Sequence, residues 1–123
     1  MAEHNDFGKY AEQLAEKYLI DKDYVILTKN YRYQKAEIDI IAQKENTIAI
    51  VEVKARQSNA VMAPYEAVGK KKMKLLVLAA DAFLQDRGDE LEARFDIISI
   101  TISDNKEPNI VHIENAFEVI DVC

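Results

Sequence analysis

Glu37-Ile-Asp39-Ile-Ile and, after a short polar break, Ile48-Ala-Ile-Val-Glu52-Val-Lys54 place three carboxylates and one lysine inside runs that otherwise read as β-strand. A charge inside an apolar strand is costly unless it is paired or binds something. Strand side chains alternate between faces. Glu37 and Asp39 therefore share a face, as do Glu52 and Lys54, while Ile38 and Ile40, with Ala49, Val51 and Val53, take the other side and can build a core. With Lys44-Glu-Asn-Thr47 as a four-residue hairpin loop, Asp39 falls opposite Glu52 and Glu37 opposite Lys54. Directly opposed side chains have Cβ atoms roughly 4.5–5.5 Å apart. Two carboxylates at that distance repel unless a proton or a cation lies between them. Two readings follow: a divalent metal held by Asp39 and Glu52, or two ordinary cross-strand ion pairs at a sheet edge. A one-residue slip in register removes the pairing.

Charges on helices could join this group. Phe7, Tyr10, Ala11, Leu14, Tyr18 and Leu19 form an apolar stripe at helical spacing, and Glu12 lies at its edge. On spacing alone such an acid meets solvent. A second stripe contains Tyr65, Val68, Leu75, Leu76, Ala79 and Phe83, and Lys72 falls in its middle. Lys70, Lys71 and Lys74 fall on the opposite side. A lysine on a core-facing stripe either snorkels out along its stem or reaches an acidic site on the sheet. Lys70, Lys71, Lys72 and Lys74 are the only dense basic run; Lys54 and Arg56, with Tyr31 and Arg32, could extend it in space.

Asp39 followed by Glu52-Val-Lys54 resembles the D…ExK signature of the PD-(D/E)XK nuclease superfamily. That pattern alone occurs by chance. A longer ordered set resembles the YraN-like family of small bacterial proteins, predicted endonucleases related to archaeal Holliday-junction resolvases. It begins with Gly8-Lys-Tyr-Ala-Glu12, Ala15, Tyr18-Leu19, Asn30, Arg32 and Glu37-Ile-Asp39-Ile-Ile-Ala. It continues with Val51-Glu-Val-Lys-Ala-Arg56, Glu66-Ala-Val68, Lys72 and Arg94-Phe-Asp96, so the likeness runs from Phe7 to Ala116-Phe117. Ala36 stands where the family usually has Gly, and Val61-Met62-Ala63 replaces a usual Phe-Gly segment. Neither departure removes a candidate ligand.

Phosphodiester hydrolysis needs an activated water, an in-line geometry and stabilised charge on the phosphoryl oxygens. Mg²⁺ or Mn²⁺ bound by hard carboxylate oxygens supplies much of this. The resemblance implies Asp39 and Glu52 as metal ligands, with the Val53 carbonyl as a further oxygen. It also draws Glu12 from solvent into the acidic cluster, completing the metal shell directly or through water. Lys54 would contact the scissile phosphate and the attacking water. Glu37 would orient Lys54, Lys72 would be a second cation over the phosphate, and Arg56 would add a phosphate contact. The expected activity is metal-dependent endonucleolysis of DNA, branched or single-stranded. Its alternatives are a nucleic-acid-binding module of the same fold without turnover, and a small structural or assembly protein whose acids form ion pairs. Resolvase-like enzymes often act as two-fold dimers, so a homodimer is the assembly the resemblance implies, although no residue marks a dimer surface.

The elements that must position these residues are legible in outline. An Asn5 or Asp6 cap opens a helix to Ile20. Residues 24–33, 37–43 and 47–54 read as an antiparallel meander of strands, with a turn at Gln34-Lys35. Residues 56–62 read as a polar loop, and Pro64 opens a second helix that runs to Gln85 and stops before Gly88. Residues 94–103 form a strand apolar on nearly both faces, parallel to 47–54 because a helix connects them. A turn at 104–108 leads to a short last strand, 110–113, on which His112 reads as a surface residue. The fold expected is α/β, a mixed central sheet flanked by helices in the order α-β-β-β-α-β-β. It agrees with the restriction-endonuclease-like core of the resembled superfamily.

A chain of 123 residues, 49% of them apolar, suits one domain and one core. Three Gly and two Pro argue against a long linker or disorder. No window has the apolar length of a membrane span, and the opening Met-Ala-Glu-His-Asn-Asp lacks an apolar signal core. With Cys123 as the single cysteine, the expected location is the cytoplasm. The net charge of −6 runs against the basic character usual in nucleic-acid enzymes, although a local basic patch can still bind phosphate.

Overall fold

The computed structural model describes residues 2–57, 69–88, 90–103 and 107–119, with side chains from Phe7 onward except that of Gln57. The elements are α1 (Ala2–Asp21), β1 (Val25–Tyr33), β2 (Ala36–Lys44), β3 (Thr47–Gln57), α2 (Lys70–Arg87), β4 (Glu92–Ile102) and β5 (Asn109–Phe117). One five-stranded sheet carries the strands in chain order. β1, β2 and β3 form an antiparallel meander, β3 and β4 are parallel, and β5 returns antiparallel to β4. The parallel pair follows from the helical crossover between its strands. This is the expected α/β order with a mixed sheet.

The helices cover opposite faces. On one, Ala11, Ala15 and Leu19 of α1 bury against Ile40, Ala42, Ala49, Val51, Ile98 and Ile100. The contact line of α1 is rich in alanine, and Tyr10 turns outward at 45% exposure. On the other face Leu76, Ala79 and Ala80 of α2 pack on Ile38, Ile41, Ile48, Ile50 and Ile97. Gly88 ends α2 in the left-handed conformation, φ 77°, and its amide reaches the Leu84 carbonyl. A glycine adopts this cap without a Cβ penalty.

Several boundaries differ from the sequence reading. α1 begins at Ala2, before the expected Asn5 or Asp6 cap. Arg56 lies within β3, not in a loop. The described part of α2 starts at Lys70 with Gly69 as its N-cap, and the expected start at Pro64 lies outside the described residues. β5 continues past Ile113 to Phe117, where Phe117 is buried and stacks on Phe95 with ring centroids 4.8 Å apart. Burial of that ring explains the added length.

The hairpin between β2 and β3 is tighter than expected. Lys44 pairs with Thr47, so the connection is Glu45-Asn46 alone, and the register is unchanged at Ile40 opposite Val51. There the ladder ends. The β1–β2 ladder also skips a step, from Lys29–Ile40 to Tyr31–Ile38. Asp39 therefore belongs to neither ladder, and Asn30, across from it, has φ 54°. The break resets the alternation of β2. Ile38 packs on the α2 side and Ile40 on the α1 side, which corrects the expectation that they share a face.

Candidate active site

Past Ile40 and Val51 the strands β2 and β3 fork, and the acidic residues collect in the fork. The Asp39 carboxylate reaches across and accepts a 2.8 Å hydrogen bond from the Val53 amide, a donor that the ladder no longer uses. Glu52 lies beside it on β3 with its side chain only 4% exposed. Burial pushes the Asp39 carboxyl up to about 7, and the neighbouring Glu52 charge pushes the same way, against the Val53 amide. Crowded carboxylates with such a shift mark a place that favours a proton or a cation between them.

Two lysines close on Glu52. Lys54 Nζ lies 3.4 Å from Glu52 Oε2, and Lys72 Nζ of α2 contacts the same oxygen. Burial works against the Lys72 ammonium, but its bond and attraction to Glu52 outweigh that and raise its pKa. Of the two outcomes left open for Lys72, the geometry therefore shows the reach to the acidic site. Lys70, Lys71 and Lys74 are exposed, as the helical spacing predicts.

Glu12 turns toward the fork. With Asp39, Glu52, Val53, Lys54 and Lys72 it lines an opening of about 320 Å³ on the α1 side. Its pKa is raised, first by burial and then by Glu37 and Glu52, with Lys29 opposing. On the α2 side a larger cleft of about 500 Å³ shares Asp39, Glu52 and Lys72, and adds Lys35, Glu37 and Lys71. Arg56 continues β3 opposite Thr101 and lines neither opening.

Glu37 does not stand opposite Lys54. It pairs in register with Arg32 of β1, and the Arg32 Nε to Glu37 Oε2 distance is 3.8 Å. The cause is the fork itself: the β2–β3 ladder stops before Glu37 could meet Lys54, and Lys54 turns to Glu52 on its own strand.

The donor set sets the terms for a metal. Among the described residues, no group of three or more His, Cys, Asp or Glu side chains is gathered closely enough to hold an ion. The donors at the fork are two carboxylates, Asp39 and Glu52, with Glu12 on the rim. Mg²⁺ keeps several waters and commonly takes only one or two protein carboxylates, with substrate phosphate completing its shell. The pair at the fork fits that chemistry.

A second polar cluster lies on β4 and β5. The fully buried Asp96 carboxylate accepts from Arg94 Nε at 2.8 Å and Arg94 Nη2 at 2.7 Å. It is also bonded to His112 Nε2 at 2.8 Å and accepts from the Asn115 amide at 3.0 Å. The other imidazole nitrogen faces the Tyr18 hydroxyl of α1 at 3.3 Å. Burial alone would raise the Asp96 pKa, but the His112, Arg94 and Asn115 contacts outweigh it and lower it. His112 is thus a buried partner with a side chain 6% exposed, not a surface residue. α1 covers the face on which it lies. The signal for this cluster was Asp96 itself, a charge in a strand apolar on both sides, with Arg94 two positions away on the same face.

Comparison with other proteins places the chain. It is 49% identical over 117 residues to a UPF0102 protein of Flavobacterium psychrophilum, covering 95% of this chain and 98% of that one. A UPF0102 protein of Bacteroides thetaiotaomicron is 44% identical over 117 residues, 95% of this chain and 96% of its own. One from Phocaeicola vulgatus is 43% identical over 118 residues, with coverage of 95% and 96%. The family profile matches residues 11–100, a stretch that includes Glu12, Asp39, Glu52, Lys54, Lys72 and Asp96, and the chain belongs to the uncharacterised protein family UPF0102.

Proposed function

We propose that this protein is a metal-dependent endonuclease that hydrolyses phosphodiester bonds in DNA, with branched or single-stranded DNA as its substrate. The observation that carries the reading is the fork: two crowded carboxylates, Asp39 and Glu52, with Lys54 and Lys72 beside them. Its order in the chain is that of D…ExK.

Asp39 and Glu52 would hold Mg²⁺ or Mn²⁺, with Glu12 bordering the site from α1. A bound divalent ion supplies charge to the phosphoryl oxygens and lowers the pKa of an attacking water. The chain's own groups do the rest. The Val53 amide fixes the Asp39 carboxylate in one orientation. Lys54, with three donors and no acceptor, offers positive charge where negative charge develops on phosphate. Lys35 and Lys71 border the α2-side cleft, so the nucleic-acid backbone meets local positive charge despite the net charge of −6. Arg56 extends this basic character along β3.

The test is cleavage of branched, nicked and single-stranded DNA with and without Mg²⁺, by the wild-type protein beside Asp39→Asn and Glu52→Gln. Mg²⁺-dependent cleavage lost in both variants supports the reading. DNA binding without turnover in any metal favours a binding module. The contact of both lysines with Glu52 gives some support to a purely structural ion-pair cluster. In that case either substitution destabilises the metal-free protein strongly and metal has no effect on it.

A further inference from the structure

Lys72 and Lys54 share one oxygen of a buried carboxylate, and they reach it differently. Lys54 approaches from the next residue but one on the same strand, and its side chain is 27% exposed. Lys72 comes across from α2, touches Glu52 Oε2, and is 43% exposed along its side chain. It lines both openings to the fork. An ion entering from either side to reach Glu52 Oε2 meets the Lys72 ammonium there. An ammonium and a divalent ion cannot both contact that oxygen without repelling each other.

We propose that Lys72 is an exchangeable internal cation. In the metal-free protein it neutralises Glu52. A divalent ion and a phosphodiester displace it together, the ion taking the carboxylate and the phosphate taking the ammonium. This deepens the nuclease reading and rests on it.

The geometry gives the released ammonium a destination. The same cleft that holds Lys72 carries Lys71 and Lys35 on its walls. A phosphate in that cleft brings its charge to where a displaced Lys72 would otherwise be unpaired. Lysine suits such an exchange because it is a flexible point charge without fixed fork geometry. Metal binding alone then carries the loss of the Lys72–Glu52 contact, and phosphate restores a partner. Two ligands linked in this way assist each other, and by linkage each must favour the other equally.

The experiment is calorimetric titration of Mn²⁺ into wild type, Lys72→Met, Lys72→Gln and Lys72→Arg. Each titration is run alone and with a short oligothymidylate carrying phosphorothioate linkages, which resists cleavage. Melting curves establish that each variant is folded, and Lys72→Gln serves if Lys72→Met is not. The expected result is that Lys72→Met or Lys72→Gln binds Mn²⁺ alone about fivefold tighter or more than wild type. Those variants also lose the mutual assistance between Mn²⁺ and oligonucleotide, while Lys72→Arg keeps it. Binding of Mn²⁺ by the charge-removing variants but not by wild type gives the same support. Equal or weaker Mn²⁺ binding in those variants, or assistance that survives the loss of charge, overturns the exchange while leaving the nuclease reading in place. Absence of Mn²⁺ binding from wild type and every variant overturns the metal site itself, and the exchange with it.

Discussion

The Val53 amide bonds to the Asp39 carboxylate at 2.8 Å, across the point where β2 and β3 stop pairing. One side chain thus replaces a backbone carbonyl as the partner of a strand amide. The orientation of Asp39 is set by the backbone of the neighbouring strand and not by its own rotamer preference alone. Asparagine keeps an acceptor for this amide; alanine leaves the donor unmet, at a cost of roughly 1–3 kcal/mol.

Asp39→Asn should stabilise the metal-free protein at neutral pH and above. The folded carboxyl is pushed up to about 7 from 3.8, so between these values the native state holds a proton the unfolded chain has released. Stability therefore falls as pH rises through that window. Below it both states are protonated and the penalty vanishes; above it the penalty is complete. The variant should exceed wild type by on the order of 1–3 kcal/mol at high pH and converge with it in acid. Urea unfolding at a series of pH values measures this, and a gap independent of pH would refute it.

Glu52→Gln and Asp39→Asn should each reduce Mg²⁺-dependent cleavage to background. Each removes a charged oxygen from a set that contains only two carboxylates at the fork. Cleavage assays at saturating metal check this. Full activity in either folded variant removes that residue from the site.

Lys54→Ala should separate chemistry from metal binding. Its ammonium has no acceptor and cannot ligate an ion, yet it stands 3.4 Å from Glu52, near where a phosphate would lie. Cleavage should fall about 10²–10³-fold, with Mn²⁺ affinity retained in calorimetry. Loss of Mn²⁺ binding by the folded variant would contradict this role.

Lys71→Ala and Lys74→Ala should differ although both lysines are exposed on α2. Lys71 borders the α2-side cleft and Lys74 does not. Oligonucleotide affinity should weaken modestly in Lys71→Ala, and the slope of log affinity against log salt should drop by about one. Lys74→Ala should leave both unchanged. Identical slopes for the two variants would show that the cleft is not the path of the backbone.

Asp96→Asn should destabilise the fold by about 1–3 kcal/mol, because it weakens the charge-assisted bonds of this fully buried side chain to the part-exposed Arg94 and to His112, although Arg94 keeps Glu114 3.8 Å away. The folded Asp96 pKa is lowered, so its contribution is present above the usual aspartate range and is lost as pH falls through the folded value. Thermal melts of wild type and variant should be far apart at neutral pH and approach each other in strong acid. A constant difference would count against the ion pair as the cause.

The sequence carried the order of elements because each had a local cause: helical stripes, alternating strands, a glycine stop. It also carried the approach of Asp39 to Glu52, because the hairpin register is the same for the shorter loop as for the longer one. Lys72 could be separated from Lys70, Lys71 and Lys74 by helical angle alone. The opposite faces of Ile38 and Ile40 were not legible, because strict alternation cannot show a ladder broken at one residue. For the same reason Glu37 was matched to Lys54 when its neighbour is Arg32 on the outer strand. His112 was misread because alternation tells which side a residue takes, not what covers that side. Tyr18 of α1, distant in the chain, supplies the cover.

The strands lie side by side in the order in which a ribosome would release them. Each new strand can dock on an edge already made, until β4 arrives with Asp96. That carboxylate then has Arg94 from its own strand, but His112 and Asn115 come only with β5. A nascent chain paused after β4 would display an open sheet edge and a buried acid short of two partners. Removing β5 should therefore destabilise the whole sheet, whatever the state of the fork.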